Sequence, residues 1–387
     1  MPAAIAETWD EKRLQRERLE KLQSEMKRRD IAALYLDDTI NIRYVLNLRV
    51  PGGAVFIPPQ GEAIAFVRPR DMGYVSLRYG NLRPPLFEYH AGSDEEEEEG
   101  SATLADSIRQ LMADYGVAGE RLGVDKLGRP GAFIALIKGG IHLVDGMLTI
   151  NTARSVKTQD EIEVYRVIGQ QYAHSVKAFR DAIRPGVTEN ELASVVGTAW
   201  YEAGGEDVAQ LNVCAGENMN PWRRWPTQRA LQEGEFVGID LHGRGPCGLR
   251  GDSSRTFFVG ERPTTEQRDL YRQAYGYLLG SADAFRAGRS VAEVLAEVPP
   301  VPEKYRVQQE NYHVGHDIGM TPQGIKVNKH RIERGGRLNA NQVIAIECYF
   351  GEVGGRQAVK LEEMIVVRDG PPERLGLSIP VDERLAA

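Results

Sequence analysis

Acidic residues and histidines stand in the second half of this chain where apolar residues would otherwise continue a strand. In GIDLHGRGPCGLRGDSSRTF (239–258), Asp240, His242 and Asp252 surround a run of glycines before Thr256-Phe257-Phe258 resumes an apolar strand. Asp and Gly are poor strand formers, so a segment that only needed to pack would avoid them. NYHVGHDIGM (311–320) holds His313 and His316, VIAIECYFG (343–351) embeds Glu347, and VKLEEMIVV (359–367) embeds Glu362 and Glu363. A carboxylate inside an apolar strand costs several kcal/mol unless it is paired or bound to a cation. For one acid alone, an ion pair with an arginine suffices as an account. For the whole set a common one is needed, and two divalent metal ions provide it. Such ions take carboxylate oxygens and imidazole, and two of them close together need bridging carboxylates. Donors of these types accept Mn, Fe, Co or Zn.

Strands and turns must bring these side chains together. GRGPCG is turn material, so Asp240 at the end of one strand and Asp252 at the start of the next are expected to face each other across a hairpin. Upstream, Thr158 with Glu161 and Thr188 with Glu191 form capping boxes that open two helices. The first carries Ile162, Tyr165, Ile168, Tyr172, Val176 and Phe179 on one side and stops at Arg184-Pro185-Gly186; the second ends at Gly204-Gly205. Residues 10–29 predict an amphipathic helix with Leu14, Leu19, Leu22 and Met26 on its apolar side. Short apolar runs at 32–38, 52–59, 62–69 and 121–127 predict strands of a smaller α/β domain. The acid run Asp94–Glu99 is expected to be a solvated loop. Two domains follow, 1–155 and 156–387, as the length of 387 residues also suggests.

Composition narrows the function classes. Hydrophobic content of 42% and a net charge of −7 fit a globular chain with no basic field for nucleic acid or an anionic membrane. No apolar run approaches the roughly 18 residues of a membrane span, and the first residues lack the apolar stretch of a signal peptide. Three cysteines, an odd number at no metal-ligand spacing, fit a reduced cytoplasm and core or bystander roles.

The order and flanks of the acidic residues resemble the pita-bread metalloenzymes: methionine aminopeptidase, aminopeptidase P, prolidase and creatinase. The ligand order of that family, Asp, Asp, His, Glu, Glu, falls here on Asp240, Asp252, His316, Glu347 and Glu362. GDSSRTFFV is similar to its second-Asp strand, GHDIG to its histidine turn, and KLEE to its Arg-Ile-Glu-Asp ending, where Lys360 stands for the Arg and would only orient Glu362. The resemblance covers about 156–370 and implies an α+β fold, a C-terminal pita-bread catalytic domain after a smaller α/β creatinase-type N-terminal domain. Asn41-Ile42-Arg43-Tyr44 is the best local match in the latter. It further implies two divalent ions, a small-molecule or peptide-like substrate, and a homodimer in which the N-terminal domain caps the partner's site. The loop Leu48–Gly53, with Arg49, would be the lid.

Departures from the peptidases bear on the reaction. The two Asp residues are one residue further apart than in those enzymes, and His242 stands where they have glycine. AGENMNPWRRWPTQR (215–229) has no histidine where they carry one, and Gln323 replaces another. AGENMNPW, the Gly-Pro-x-Gly turn and ECYFGEVGG are similar to the dimethylsulfoniopropionate lyases of this fold, which place an extra acidic ligand at the position of His242. The acid that serves those lyases as base is Pro322 here. His242 is thus a candidate sixth ligand or a turn histidine. His313 is a substrate-facing catalytic residue or a packing one. Arg223, with Trp222 and Trp225, lines a substrate pocket or forms an exposed patch. Three functions remain open: a dinuclear metallohydrolase of a C–N bond, foremost; a C–S lyase acting by elimination; and a metal-free binding protein on the same fold.

Overall fold

The computed structural model describes residues 8–85, 93–126, 130–322, 324–330 and 336–386; Gln323 lies outside them. The chain divides into two compact units, Asp10–Arg154 and Ser155–Ala387.

The first unit opens with α1 (Glu11–Arg28), capped by Asp10, whose carboxylate accepts from the amides of Lys12 and Arg13. Its buried stripe is Leu14, Arg18, Leu22 and Met26, so Arg18 replaces the expected Leu19. A strict four-residue spacing selects it, and its guanidinium lies 4.8 Å from the Tyr44 ring, where the charge is held over an aromatic face. There follow β1 (Ala33–Leu36), α2 (Thr39–Leu46), β2 (Ala54–Ile57), β3 (Ile64–Phe66), α3 (Pro69–Val75), β4 (Leu82–Arg83), α4 (Asp94–Asp114), β5 (Arg121–Val124), α5 (Pro130–Lys138), β6 (His142–Asp145) and α6 (Met147–Ser155). The strands form one mixed sheet in the order β4-β3-β2-β1-β5-β6. The acid run is not a loop: it opens α4, where negative charge favours the helix N-terminus. Asn41, on α2, is a structural tie, since its side chain meets Asp125 at 2.8 Å and the Arg154 guanidinium. Arg49 is exposed in the loop after α2, which turns through left-handed Gly52.

The second unit carries every other candidate residue. Both capping boxes form as expected, opening α7 (Gln159–Ala182) and α8 (Glu189–Glu202). Then come β7 (Asp207–Ala215), β8 (Phe236–Arg244), β9 (Ser253–Phe258), α9 (Thr265–Ala282), α10 (Val291–Glu297), α11 (Glu303–Glu310), β10 (Gly315–Asp317), β11 (Lys326–Val327), β12 (Val343–Gly351), β13 (Ala358–Val366), β14 (Glu373–Arg374) and α12 (Glu383–Ala386). The main sheet runs β11-β10-β12-β13-β9-β8-β7. One face packs on helices: the Tyr172 hydroxyl of α7 donates to Leu241 O and accepts from Gly243 N, both at 2.8 Å. That approach explains two glycines of the 239–258 segment. A Cβ on Gly251 would lie 2.4 Å from the Tyr172 ring, and one on Gly243 2.4 Å from Trp200. The other face is left for the polar side chains.

Candidate metal centre

Strand pairing sets the acidic residues in rows. Asn212 pairs with Asp240, Asp240 with Ser254, Ser254 with Glu362, and Glu362 with Glu347. Directly opposed residues share a face, so these five side chains from five adjacent strands form one line across the sheet. Asp240 is therefore mid-strand, not at a strand end, and it faces Ser254 rather than Asp252. One pleat away, about 7 Å along the strands, the Leu241–Ser253 pair and the Arg244–Arg250 bridge bring His242 opposite Asp252. His316 pairs with Ala345, two residues before Glu347, and so joins the same side. Every one of the five acid and histidine positions in the ligand order is at most 9% exposed.

The candidate ligand atoms converge. Asp240, His242 and Asp252 offer donors all within 4.8 Å of one another, as do Asp252, His316 and Glu362, so Asp252 belongs to both groups. His242 Nδ1 lies 2.9 Å from Asp252 Oδ1. Both atoms are buried, and His242 Nε2 lies 3.5 Å from Asp240 Oδ2, so the ring stands between the two carboxylates. A buried imidazole set between two carboxylates, in a donor set of O and N atoms alone, fits a site where a divalent cation would take the place of the ring's proton.

Lys360 does more than orient Glu362. Its ammonium sits 3.1 Å from both Glu347 Oε2 and Glu362 Oε2, 3.7 Å from Asp240 Oδ2, and 3.0 Å from Ser254 Oγ. Ser254 Oγ also lies 2.8 Å from Asp240 Oδ1. These contacts set the protonation of the cluster. Burial pushes Asp240 up, but Lys360 and His242 outweigh it and hold the carboxyl well below the usual range. Glu362, buried beside Lys360 and His316, falls to about 2. Burial dominates at Glu347, which rises to about 6, and burial with repulsion from Glu362 raises Asp252. Burial opposes the charged form of both imidazoles, yet Asp240 and Asp252 lift His242 to about 10, and Glu362 and Asp252 lift His316 to about 9.

These residues line a cavity of about 590 Å³. Trp222, His313, Pro322, Tyr312 and Tyr349 share it, with Arg224, Arg250 and Lys326. The structure does not bring Arg223 or Trp225 to that lining. Trp225 is 66% exposed, and Arg224, held at φ 77°, takes the place expected of Arg223. A left-handed residue turns the chain, so the side chain facing the cavity shifts by one. Buried Glu189 fixes this segment: its carboxylate accepts from Ala215 N, Asn218 Nδ2, and the amide and hydroxyl of Thr227. His313 Nδ1 meets Asn328 Nδ2 at 2.8 Å. Tyr312 and Tyr349 stack with centroids 4.8 Å apart, and Trp222 meets Tyr349 edge-on at 6.5 Å. Tyr312, Tyr349, Arg224, Arg250 and the clamp Glu189 were missed in the sequence. Only Tyr349, two residues after Glu347 in a strand and hence on its face, had a readable signal there. Cys348 is core, as expected, with Sγ against Ala274 O.

Residues 163–369, more than half the chain, match the profile of metallopeptidase family M24, and residues 18–156 match the creatinase/prolidase N-terminal domain. The chain belongs to family M24. It is 23% identical over 380 residues to the dimethylsulfoniopropionate lyase of Roseovarius nubinhibens, covering 92% of this chain and 84% of that protein. It is 26% identical over 229 residues to the Xaa-Pro dipeptidase of Lactobacillus helveticus, covering 57% of this chain and 60% of that one. The solved Xaa-Pro dipeptidase of Bacillus anthracis superimposes with a TM-score of 0.77 at 19% identity, over 95% of this chain and 99% of that one. The pita-bread fold expected from the motifs is therefore the fold of this M24 chain. Its relatives include metallopeptidases, and family M24 uses divalent metals. No helix among the described residues is long and apolar enough to cross a membrane.

Proposed function

We propose that this M24 chain is a dinuclear metal-dependent hydrolase acting on a C–N bond of a small-molecule or peptide-like substrate. One observation carries the reading: two groups of convergent, buried ligand atoms share Asp252. Asp240, His242 and Asp252 would hold one ion; Asp252, His316, Glu347 and Glu362 would hold the other. Divalent ions there supply Lewis acidity that polarises a substrate carbonyl and acidifies water. Lys360 and Ser254 keep Asp240 and Glu362 ionised and oriented for ligation. The aromatic wall of Trp222, Tyr312 and Tyr349 excludes water and shapes the cleft. His313, held by Asn328, would exchange a proton with a leaving group. The homodimer, with the Arg49 loop as lid over the partner's site, belongs to this reading and rests on the family resemblance.

A second reading is an elimination. Its support is that the lyase match spans nearly the whole chain, whereas the Xaa-Pro dipeptidase match spans 57% of it. Against it, Pro322 lines the cavity where the lyases carry their base, and the side chain of proline has no group that could take a proton. Metal analysis of the purified chain, followed by an activity panel of Xaa-Pro peptides, small amides and dimethylsulfoniopropionate after reconstitution with Mn, Fe, Co or Zn, tests both. Turnover of an amide with two ions bound supports the hydrolase. Release of dimethyl sulfide selects the elimination, and retention of no metal leaves the metal-free binding protein.

A further inference from the structure

The cations of the cavity show a pattern that the metal site does not use. Its acids, among the described residues, are Asp240, Asp252, Glu347 and Glu362, all of them candidate ligands. Its cations are Lys360, which is engaged with those acids, and Arg224, Arg250 and Lys326, which are not. Once divalent ions neutralise the ligand carboxylates, the lining has unpaired positive charge and no spare acid.

Arg250 is singular among these three. Its backbone is pinned: the amide donates to Gly319 O at 2.8 Å and the carbonyl accepts from the Tyr165 hydroxyl at 3.3 Å. Its side chain is not. The Nε is buried without a hydrogen-bond partner, and among the described residues no carboxylate stands within ion-pair distance. The contrast with its strand neighbour is direct. Arg244, bridged to Arg250, spreads its guanidinium over Gly248 O at 3.0 Å, Met320 O at 2.9 Å and Asp207 Oδ2 at 3.3 Å. A half-buried guanidinium normally finds such acceptors. Arg250 also stands two residues before Asp252 in sequence, and both line the same cavity. Arg224 is exposed and Lys326 half-buried, so water can satisfy both.

We infer that Arg250 anchors an oxyanion of the substrate, a carboxylate or a phosphate, and thereby fixes the substrate against the metal centre. This rests on the metalloenzyme reading and narrows it to anionic substrates. A guanidinium takes such a group through two parallel N–H···O bonds, which sets orientation as well as charge.

The test uses the full chain loaded with Mn²⁺, with bound metal counted by mass spectrometry. Calorimetric titration with succinate, with inorganic phosphate and with neutral succinamide reads binding without catalysis. Saturable binding of succinate or phosphate to the wild type is expected, the tighter of the two naming the anion. Arg250→Met should weaken it at least about ten-fold, Arg250→Lys should restore part, and Arg224→Met and Lys326→Met should stay within about three-fold. Succinamide binding should not follow the charge. The inference is overturned if the wild type binds neither anion, if Arg250→Met binds as the wild type, or if all three charge removals weaken binding alike. Anion binding lost in Arg250→Met while the wild type holds fewer than two ions would refute the dinuclear reading and leave Arg250 assigned.

Discussion

Lys360→Met is the substitution whose consequences the geometry states most fully. Methionine keeps an unbranched side chain, one atom shorter, and removes the ammonium. That ammonium is buried 3.1 Å from two carboxylates and 3.7 Å from a third. At an effective dielectric of about 20, each 3.1 Å pair has roughly 5 kcal/mol of gross attraction. Desolvation of the charges offsets most of it, and removing one partner of a buried pair leaves a net loss of about 3–5 kcal/mol. For a unit of this size that corresponds to a Tm lower by roughly 6–20 °C in the metal-free protein. Divalent ions supply positive charge to the same oxygens, so saturating Mn²⁺ should narrow the gap to less than about half. The pH sign follows from Glu362, whose carboxyl is held at about 2 although it is buried, because of Lys360 and His316. A depressed carboxyl contributes stability above its unfolded value near 4.5, and loses it as pH falls toward 2. The gap between wild type and Lys360→Met should therefore be largest near neutral pH and shrink in acid. Scanning calorimetry of chelator-treated and reconstituted protein measures all of this. Identical melting of the two metal-free proteins, or a gap that metal leaves unchanged, would refute the assignment of Lys360 as the counter-charge of the ligand carboxylates.

Other predictions follow from the same cluster. Asp252→Ala should leave fewer than one ion per chain and abolish activity, because Asp252 belongs to both ligand groups; full metal occupancy in this variant would sink the dinuclear assignment. His242 and His316 are lifted to about 10 and about 9 in the metal-free protein, so their contribution is fully present below about 6.5 and disappears as pH rises through those values. The metal-free Tm should accordingly decline between pH 7 and 10, and metal loading at pH 7.5 should release about two protons per chain, read from binding enthalpies in buffers of different ionisation heat. Zero proton release would contradict it. Xaa-Pro peptides should be turned over more slowly than about 1 s⁻¹ under saturating metal, since residues 215–229 carry no histidine. Arg49→Ala should change KM or kcat with metal content intact, and unaltered kinetics would remove the lid role.

The helices and the placing of the acids on one sheet face were legible because their signals are local. Both capping boxes, the apolar side of α7 and the alternation that exposes Glu347 and Glu362 to one face need only neighbours in sequence. What was not legible depends on pairing across strands or on single backbone angles. The choice of Arg224 over Arg223 turns on one left-handed residue. The burial of Arg18 instead of Leu19 turns on a tyrosine from another helix. Glu189 reads as a helix-opening acid, yet its carboxylate holds a loop 26 to 38 residues away.

The same distinction explains the long interval between the first two aspartates. In an antiparallel pair the residue numbers of partners have a constant sum, so Asp240 opposite Ser254 requires His242 opposite Asp252. With that register Asp240 and Asp252 share one face and are offset by a pleat. The offset leaves a place directly across from Asp252 that a side chain must fill, and a buried carboxylate there demands a donor or a ligand partner rather than an apolar group. Glycine at 242 would leave that place empty; histidine fills it with a nitrogen 2.9 Å from the Asp252 oxygen. The longer turn and the imidazole are thus one adaptation of the sheet, and the departure of His242 from the peptidase pattern follows from the register rather than standing apart from it.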